Sequence, residues 1–278
     1  MVKLEIFREL AAQAGRGELA FPANVNGSLK LQLALDDEDC HIDAAARLVM
    51  AEPLLSAYTV AIANSVAYNP YGKEINNVRA AVTRLGFRTL KSMVARLIVR
   101  QLNGAIKNPL LRAQSTLLWE HTAHVAALAQ VLAKKVSRID AETAMFAAIV
   151  HEVGGFYLLS RAEEFPGLLD DNSEAWSEYG ERLIGRGVLR QLGVPALVIE
   201  AVDVVWRGEA SYPPRTLGDT LLLANVLAPV PSPLQPRQSV SMLQAADSID
   251  FDTPKGTLRK ILAESADEIA SLTAALLD

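Results

Sequence analysis

The chain has 278 residues, 27 Lys and Arg against 32 Asp and Glu, half of its residues hydrophobic, and one cysteine, Cys40. This is enough apolar chain for one large or two medium folded domains, and the hydrophobicity excludes general disorder. A net charge of -5 excludes a general nucleic-acid binder, which needs a basic surface to displace counterions. A lone cysteine makes no internal disulfide and no CxxC metal site, and fits a reducing compartment, so a cytoplasmic location is expected.

In chain order, the N-terminal segment intersperses Glu5, Arg8 and Glu9 among apolar residues and so lacks the uninterrupted core of a signal peptide. The apolar runs Ala144–Val150 and Leu221–Ala224 fall far short of the ~20 residues of a membrane span, and no membrane association is expected. The acidic run Asp36–Asp39 followed by Cys40 and His41 reads as a helix N-terminus, where carboxylates favour the dipole and a thiol is not activated. Thr89–Gln101 places Leu90, Met93, Val94, Leu97 and Ile98 on one helical stripe, with Lys91, Arg96 and Arg100 on the remaining surface. The polar turn Asn103–Pro109 is the expected boundary, dividing the chain into 1–108 and 109–278.

Ser115–Val136 reads as the longest helix, with Ser115 as its N-cap. Asp140 caps a third helix through Ala144, Ala147, Ala148 and His151, which Gly154-Gly155 would stop, leaving His151 and Glu152 at a helix end. Glu163-Glu164 reads as a solvated helix end before Phe165-Pro166-Gly167, and Ala228–Pro236, with four prolines, as a loop. Amphipathic patterns resume over Ser241–Ala246 and Leu258–Leu277. Alternating strand patterns are nearly absent, so the fold class is all-α, a multi-helix bundle.

Several segments occur in a telling order: Glu52-Pro53-Leu54-Leu55, Asn64-Ser65, Ile75-Asn76-Asn77-Val78, then Leu85-Gly86-Phe87-Arg88-Thr89-Leu90. Farther on come Leu118-Trp119-Glu120-His121-Thr122 and Ala148-Ile149-Val150-His151-Glu152-Val153-Gly154. Together they resemble the HDOD family of bacterial signal-transduction proteins over roughly residues 20 to 225. The resemblance implies an N-terminal helical half packed on an HD-like helical half, and a regulatory module that works by binding signalling proteins.

HD-type phosphohydrolases, distant relatives of that family, hold metals with a helical His, a His-Asp pair and further His and Asp ligands. The metals activate water and neutralise phosphoryl oxygens, so several donors must converge. Here His121 matches the first position and His151-Glu152 the pair, with Glu in place of Asp; the later positions fall on Glu181, Val205-Trp206 and Asn225. His121, His151 and Glu152 are therefore vestigial metal candidates, no cofactor is expected, and no catalytic residue is assigned. The alternative is a metal-dependent phosphohydrolase with an atypical site around the same three residues. His124 could share a metal with His121, although its apolar surroundings favour structural use. No GxSxG, Walker loop, GxGxxG or HExxH signature is present.

One charge asymmetry remains: nine basic residues and only Glu74 lie between Lys73 and Arg112, whereas Asp170–Glu181 is acidic. Solvated helix faces, paired across the junction, would explain this. As an anion or partner site the segment would use Arg84, Arg88 and Lys91 where Gly86 begins a helix, and a cyclic dinucleotide or an acidic partner helix would suit it.

Overall fold

A computed structural model describes residues 3–277 except 22, 38, 52, 71, 73, 166, 167, 170–175, 235–245, 248, 250, 254 and 255. The chain is all-α, as its periodicity predicts. In order run α1 (Lys3–Arg16), α2 (Ala23–Asp36), α3 (Ile42–Met50), α4 (Pro53–Ala63), α5 (Val78–Gly104), α6 (Pro109–Leu132), α7 (Ala141–Val150) and α8 (Val153–Arg161). A π-helical stretch, Trp176–Gly185, leads into α9 (Arg186–Gln191), α10 (Ala196–Arg207), α11 (Leu217–Leu227), α12 (Leu258–Ala263) and α13 (Ala266–Leu277). Before α12, Asp252–Thr253 pairs antiparallel with Gly256–Thr257, a two-residue ladder too short to leave a strand pattern in the sequence.

The helix starts follow local chemistry. Asp140 caps α7 by accepting from the Thr143 N–H at 2.7 Å, as expected, and Asn77, which the sequence reading passed over, caps α5 by accepting from the Ala80 N–H at 2.8 Å. Thr216 and Asp219 close a reciprocal capping box at the start of α11. The expected Ser115 cap is wrong: α6 begins two turns earlier, where Asn108 accepts from the Leu110 N–H at 2.9 Å and Pro109 takes the first helical position, and Ser115 is buried within the helix. Glu163 joins this cap by accepting from the backbone N–H groups of Lys107 and Asn108, so it is not merely a solvated helix end.

Gly86 has φ +72°, which breaks α5 into two helices at the Leu85-Gly86 segment. Asn64 clasps Ile75 from both sides: its Nδ2 donates to the Ile75 carbonyl at 2.6 Å and its Oδ1 accepts from the Ile75 N–H at 2.7 Å. The short motifs that carry the family resemblance are thus backbone clasps, caps and a helix break.

One continuous apolar core joins the segments on either side of the α5–α6 turn, with α7 seated against α5, α6, α10 and α11. A half-buried polar knot lies within this packing. The Glu142 carboxylate accepts from Tyr68 (2.8 Å), Thr89 (2.5 Å) and Gln130 (3.0 Å), tying α7 to α5, α6 and the loop after α4. The Ala141–Arg161 stretch is long and apolar enough to cross a membrane by composition, but 89% of its apolar window is buried inside the protein, as expected for a core helix.

Candidate functional site

The joint between α7 and α8 forms the site. Gly154-Gly155 does not stop a helix, as the sequence suggests; α7 ends at Val150 and α8 runs through both glycines. Their role is close packing: a Cβ on Gly154 would lie 2.6 Å from the Gly185 Cα, and one on Gly155 would lie 2.5 Å from Leu234 Cδ1 and 3.4 Å from Glu152 Oε2. The chain break therefore falls on His151 and Glu152 themselves, which turn inward beneath α6.

There they meet His121. The candidate donor atoms of His121, His151 and Glu152 lie within 4.8 Å of one another, and the three residues are 1%, 3% and 8% exposed. The imidazole centroids are 5.6 Å apart. Each ring presents Nδ1 to a backbone carbonyl, His121 to Val230 at 2.7 Å and His151 to Ala148 at 2.6 Å. A carbonyl only accepts, so both rings carry the proton on Nδ1 and turn the Nε2 lone pair toward the cluster. Neither buried Nε2 has a protein hydrogen-bond partner of normal geometry.

Burial dominates the electrostatics. It pushes His151 down to about 4, and pushes His121 down to about 4 with help from repulsion by His151. Burial raises the Glu152 carboxyl, with His121 and a hydrogen bond from Ser232 pulling the other way. Asn225, at the late-ligand position, lies against both rings and favours their protonated forms slightly. The segment after α11 roofs the site through the Val230 carbonyl, the Ser232 hydroxyl and the Leu234 side chain.

The other HD-ligand positions are used differently. Val205 is in the core, and Trp206 packs beside Gly185, where a Cβ would meet its ring at 3.2 Å. The Glu181 side chain lies outside the described residues, as do Ser241–Gln244 and most of the acidic stretch from Asp170. His124 is not among the clustered donors.

The structure does not bring Arg84, Arg88 and Lys91 together. Arg84 donates to the Tyr68 carbonyl at 3.0 Å, Arg88 pairs with Asp140, and Lys91 pairs with Asp36. Arg96 is not on the surface; it is 3% exposed, with its guanidinium 3.5 Å from the Tyr58 ring centroid and its Nε donating to the Leu276 carbonyl at 2.9 Å. Sequence reasoning also missed Ser232 and Val230, which only the return of a distant loop brings to the histidines.

The HDOD-domain profile matches residues 21–201. Among solved structures, a protein from Shewanella amazonensis SB2B named as a candidate metal-dependent phosphohydrolase is 21% identical, with a TM-score of 0.70, covering 99% of this chain and 100% of its own. An HDOD domain protein with unknown function from Geobacter sulfurreducens is 22% identical, with a TM-score of 0.65 and 98% of both chains covered. A candidate signal transduction protein from Marinobacter aquaeolei VT8 is 17% identical, with a TM-score of 0.57, and the match spans 99% of this chain and 66% of that one. Among curated proteins none matches.

Proposed function

The chain belongs to the HDOD family, and from that premise we propose that it is a non-catalytic regulatory module that works by associating with a signalling protein. The observation that supports this most is the make-up of the HD site. Among the described residues three donors converge, while Asn225, Val205 and Trp206 stand where the distant hydrolases need further ligands, and the 228–234 segment closes over the remainder. A two-metal centre that clamps attacking and leaving oxygens requires more ligands than this set supplies. The glycine-packed joint of α7 and α8 then serves as a rigid platform rather than a reaction site.

A second reading rests on one observation: two Nε2 lone pairs without a hydrogen-bond partner face a carboxylate that Ser232 holds. These residues fit a single divalent ion, which His121, His151 and Glu152 would hold with Nδ1 of each ring fixed by a carbonyl, the usual support for an imidazole ligand. Such an ion would supply Lewis acidity to a phosphoryl oxygen. Elemental analysis of the full chain purified without chelator, paired with hydrolysis of an activated phosphodiester, separates the two readings. The regulatory reading expects far less than one ion per chain and no turnover with added manganese. Stoichiometric iron, manganese or zinc that disappears in His151→Ala overturns it.

A further inference from the structure

The π-helical stretch and α10 enclose a second polar site, open where the histidine joint is sealed. A pocket of about 200 Å³ lies between them, lined by Arg182, Arg186, Asp203, Trp206 and Arg207. Arg182 stands on the π-helical stretch and Arg186 begins α9 four residues on, while Asp203, Trp206 and Arg207 fall at i, i+3 and i+4 on one face of α10. Gly185 makes the approach possible: with no side chain it lets the Trp206 indole lie against the chain between the two arginines, where a Cβ would meet the ring at 3.2 Å.

The charges of the lining do not balance. Arg186 is committed, because its Nη2 donates to Asp203 Oδ2 at 2.6 Å, which fixes its guanidinium in the wall. Arg182 and Arg207 are exposed and make no ion pair or hydrogen bond among the described residues. Three guanidiniums against one carboxylate therefore leave two positive charges at the cavity. A phosphate monoester, with a charge of about -2 near neutral pH, balances them; a carboxylate or a phosphodiester supplies half of that. Planar guanidiniums pair with phosphate oxygens two at a time, and a tetrahedral group offers oxygens to arginines that arrive from two different helices. Size narrows the class further. The pocket is smaller than the roughly 300–1,000 Å³ of a drug-sized ligand site, so it takes a head group and the few atoms beside it, and a dinucleotide is too large.

We propose that this pocket binds the phosphate of a monoester, paired with Arg182 and Arg207, with the Arg186–Asp203 pair as a fixed polar wall and Trp206 as an apolar one. No lining residue belongs to the histidine cluster, and the site rests on neither reading of it. Two sources carry this group: a small soluble phosphate ester, and a phosphorylated side chain of a partner protein.

Calorimetric titration of the full chain with glycerol 3-phosphate, with a peptide carrying a central phosphoserine, and with dimethyl phosphate tests this. At least one monoester should bind roughly tenfold or more tightly than the diester, which carries less charge. Tighter binding of glycerol 3-phosphate assigns a small ester, and tighter binding of the peptide assigns a phosphorylated partner. Arg182→Glu and Arg207→Glu should each weaken binding roughly tenfold or more. Both side chains are exposed, so both variants should melt close to the parent. Failure of both monoesters to bind at millimolar concentration, a diester that binds as tightly as they do, or unchanged affinity in either variant overturns the proposal. The titration reads neither metal content nor turnover, so its failure leaves both readings of the histidine cluster standing.

Discussion

The histidine joint and the arginine pocket are built from opposite materials. At the joint, polar groups are sealed beneath apolar packing: two glycines bring α8 within contact distance of Gly185 and Leu234, and a returning loop closes the roof. In the pocket, Arg182 and Arg207 stand exposed around one ion pair and an indole. The joint carries the residues whose names suggest chemistry, and the pocket carries the open volume. Donor residues alone therefore do not locate a site; the sizes of their neighbours decide whether anything can reach them.

The largest expected effect tests whether the joint is sealed. An unfolded imidazole takes up its proton near pH 6.5, whereas burial holds His121 and His151 near 4. Between those values the unfolded chain binds more protons, so stability falls as the pH falls through this window. The loss is on the order of 3 kcal/mol per ring. Glu152, raised by burial, opposes this, because its neutral form is favoured in the fold. Urea denaturation at pH 7, 5.5 and 4.5 reads the slope, and His151→Gln should remove about half of it. An unchanged slope would mean that the rings are solvated and that the contrast with the pocket is false.

A smaller effect sharpens the same contrast through volume. One methyl at Gly154 would press on the Gly185 backbone, which cannot swing aside as a side-chain tip can. Gly154→Ala should therefore destabilise by about 1–3 kcal/mol, despite the better helix propensity of alanine. Ala61→Trp, which adds a whole indole at an exposed position on α4, should change stability by less than about 0.5 kcal/mol. Thermal melts of the two variants side by side decide the comparison.

How much of this was legible in the sequence follows from the range of each interaction. The all-α class, the Asp140 cap and the start of a helix at Gly86 depend on neighbours within a few residues, and periodicity and cap chemistry carry them, whereas the helical turns before Gly86 and their Asn77 cap are not part of that reading. The ordered motifs placed His121 opposite His151-Glu152 because the family spacing encodes that approach. The roof from Val230 and Ser232, the Glu163 cap on α6 and the Tyr68 and Thr89 bonds to Glu142 depend on partners 50 or more residues away, and no local pattern marks them. Arg96 shows the limit most plainly. A charge next to the apolar stripe reads as surface, but Tyr58 and Trp119 from other helices cover its stem and head.

The smallest expected effect concerns the outer basic face, where Arg88 pairs with Asp140 and Lys91 with Asp36. Arg88 is two-thirds exposed, and an exposed ion pair returns little net energy once solvent screening and side-chain ordering are counted. Asp140 also keeps its separate bond from the Thr143 N–H, so the α7 cap survives without the arginine. Arg88→Ala should therefore shift stability by less than about 1 kcal/mol, read by urea denaturation beside the parent. A loss of several kcal/mol would instead mean that the Arg88–Asp140 pair is desolvated and that this outer face belongs to the packed structure.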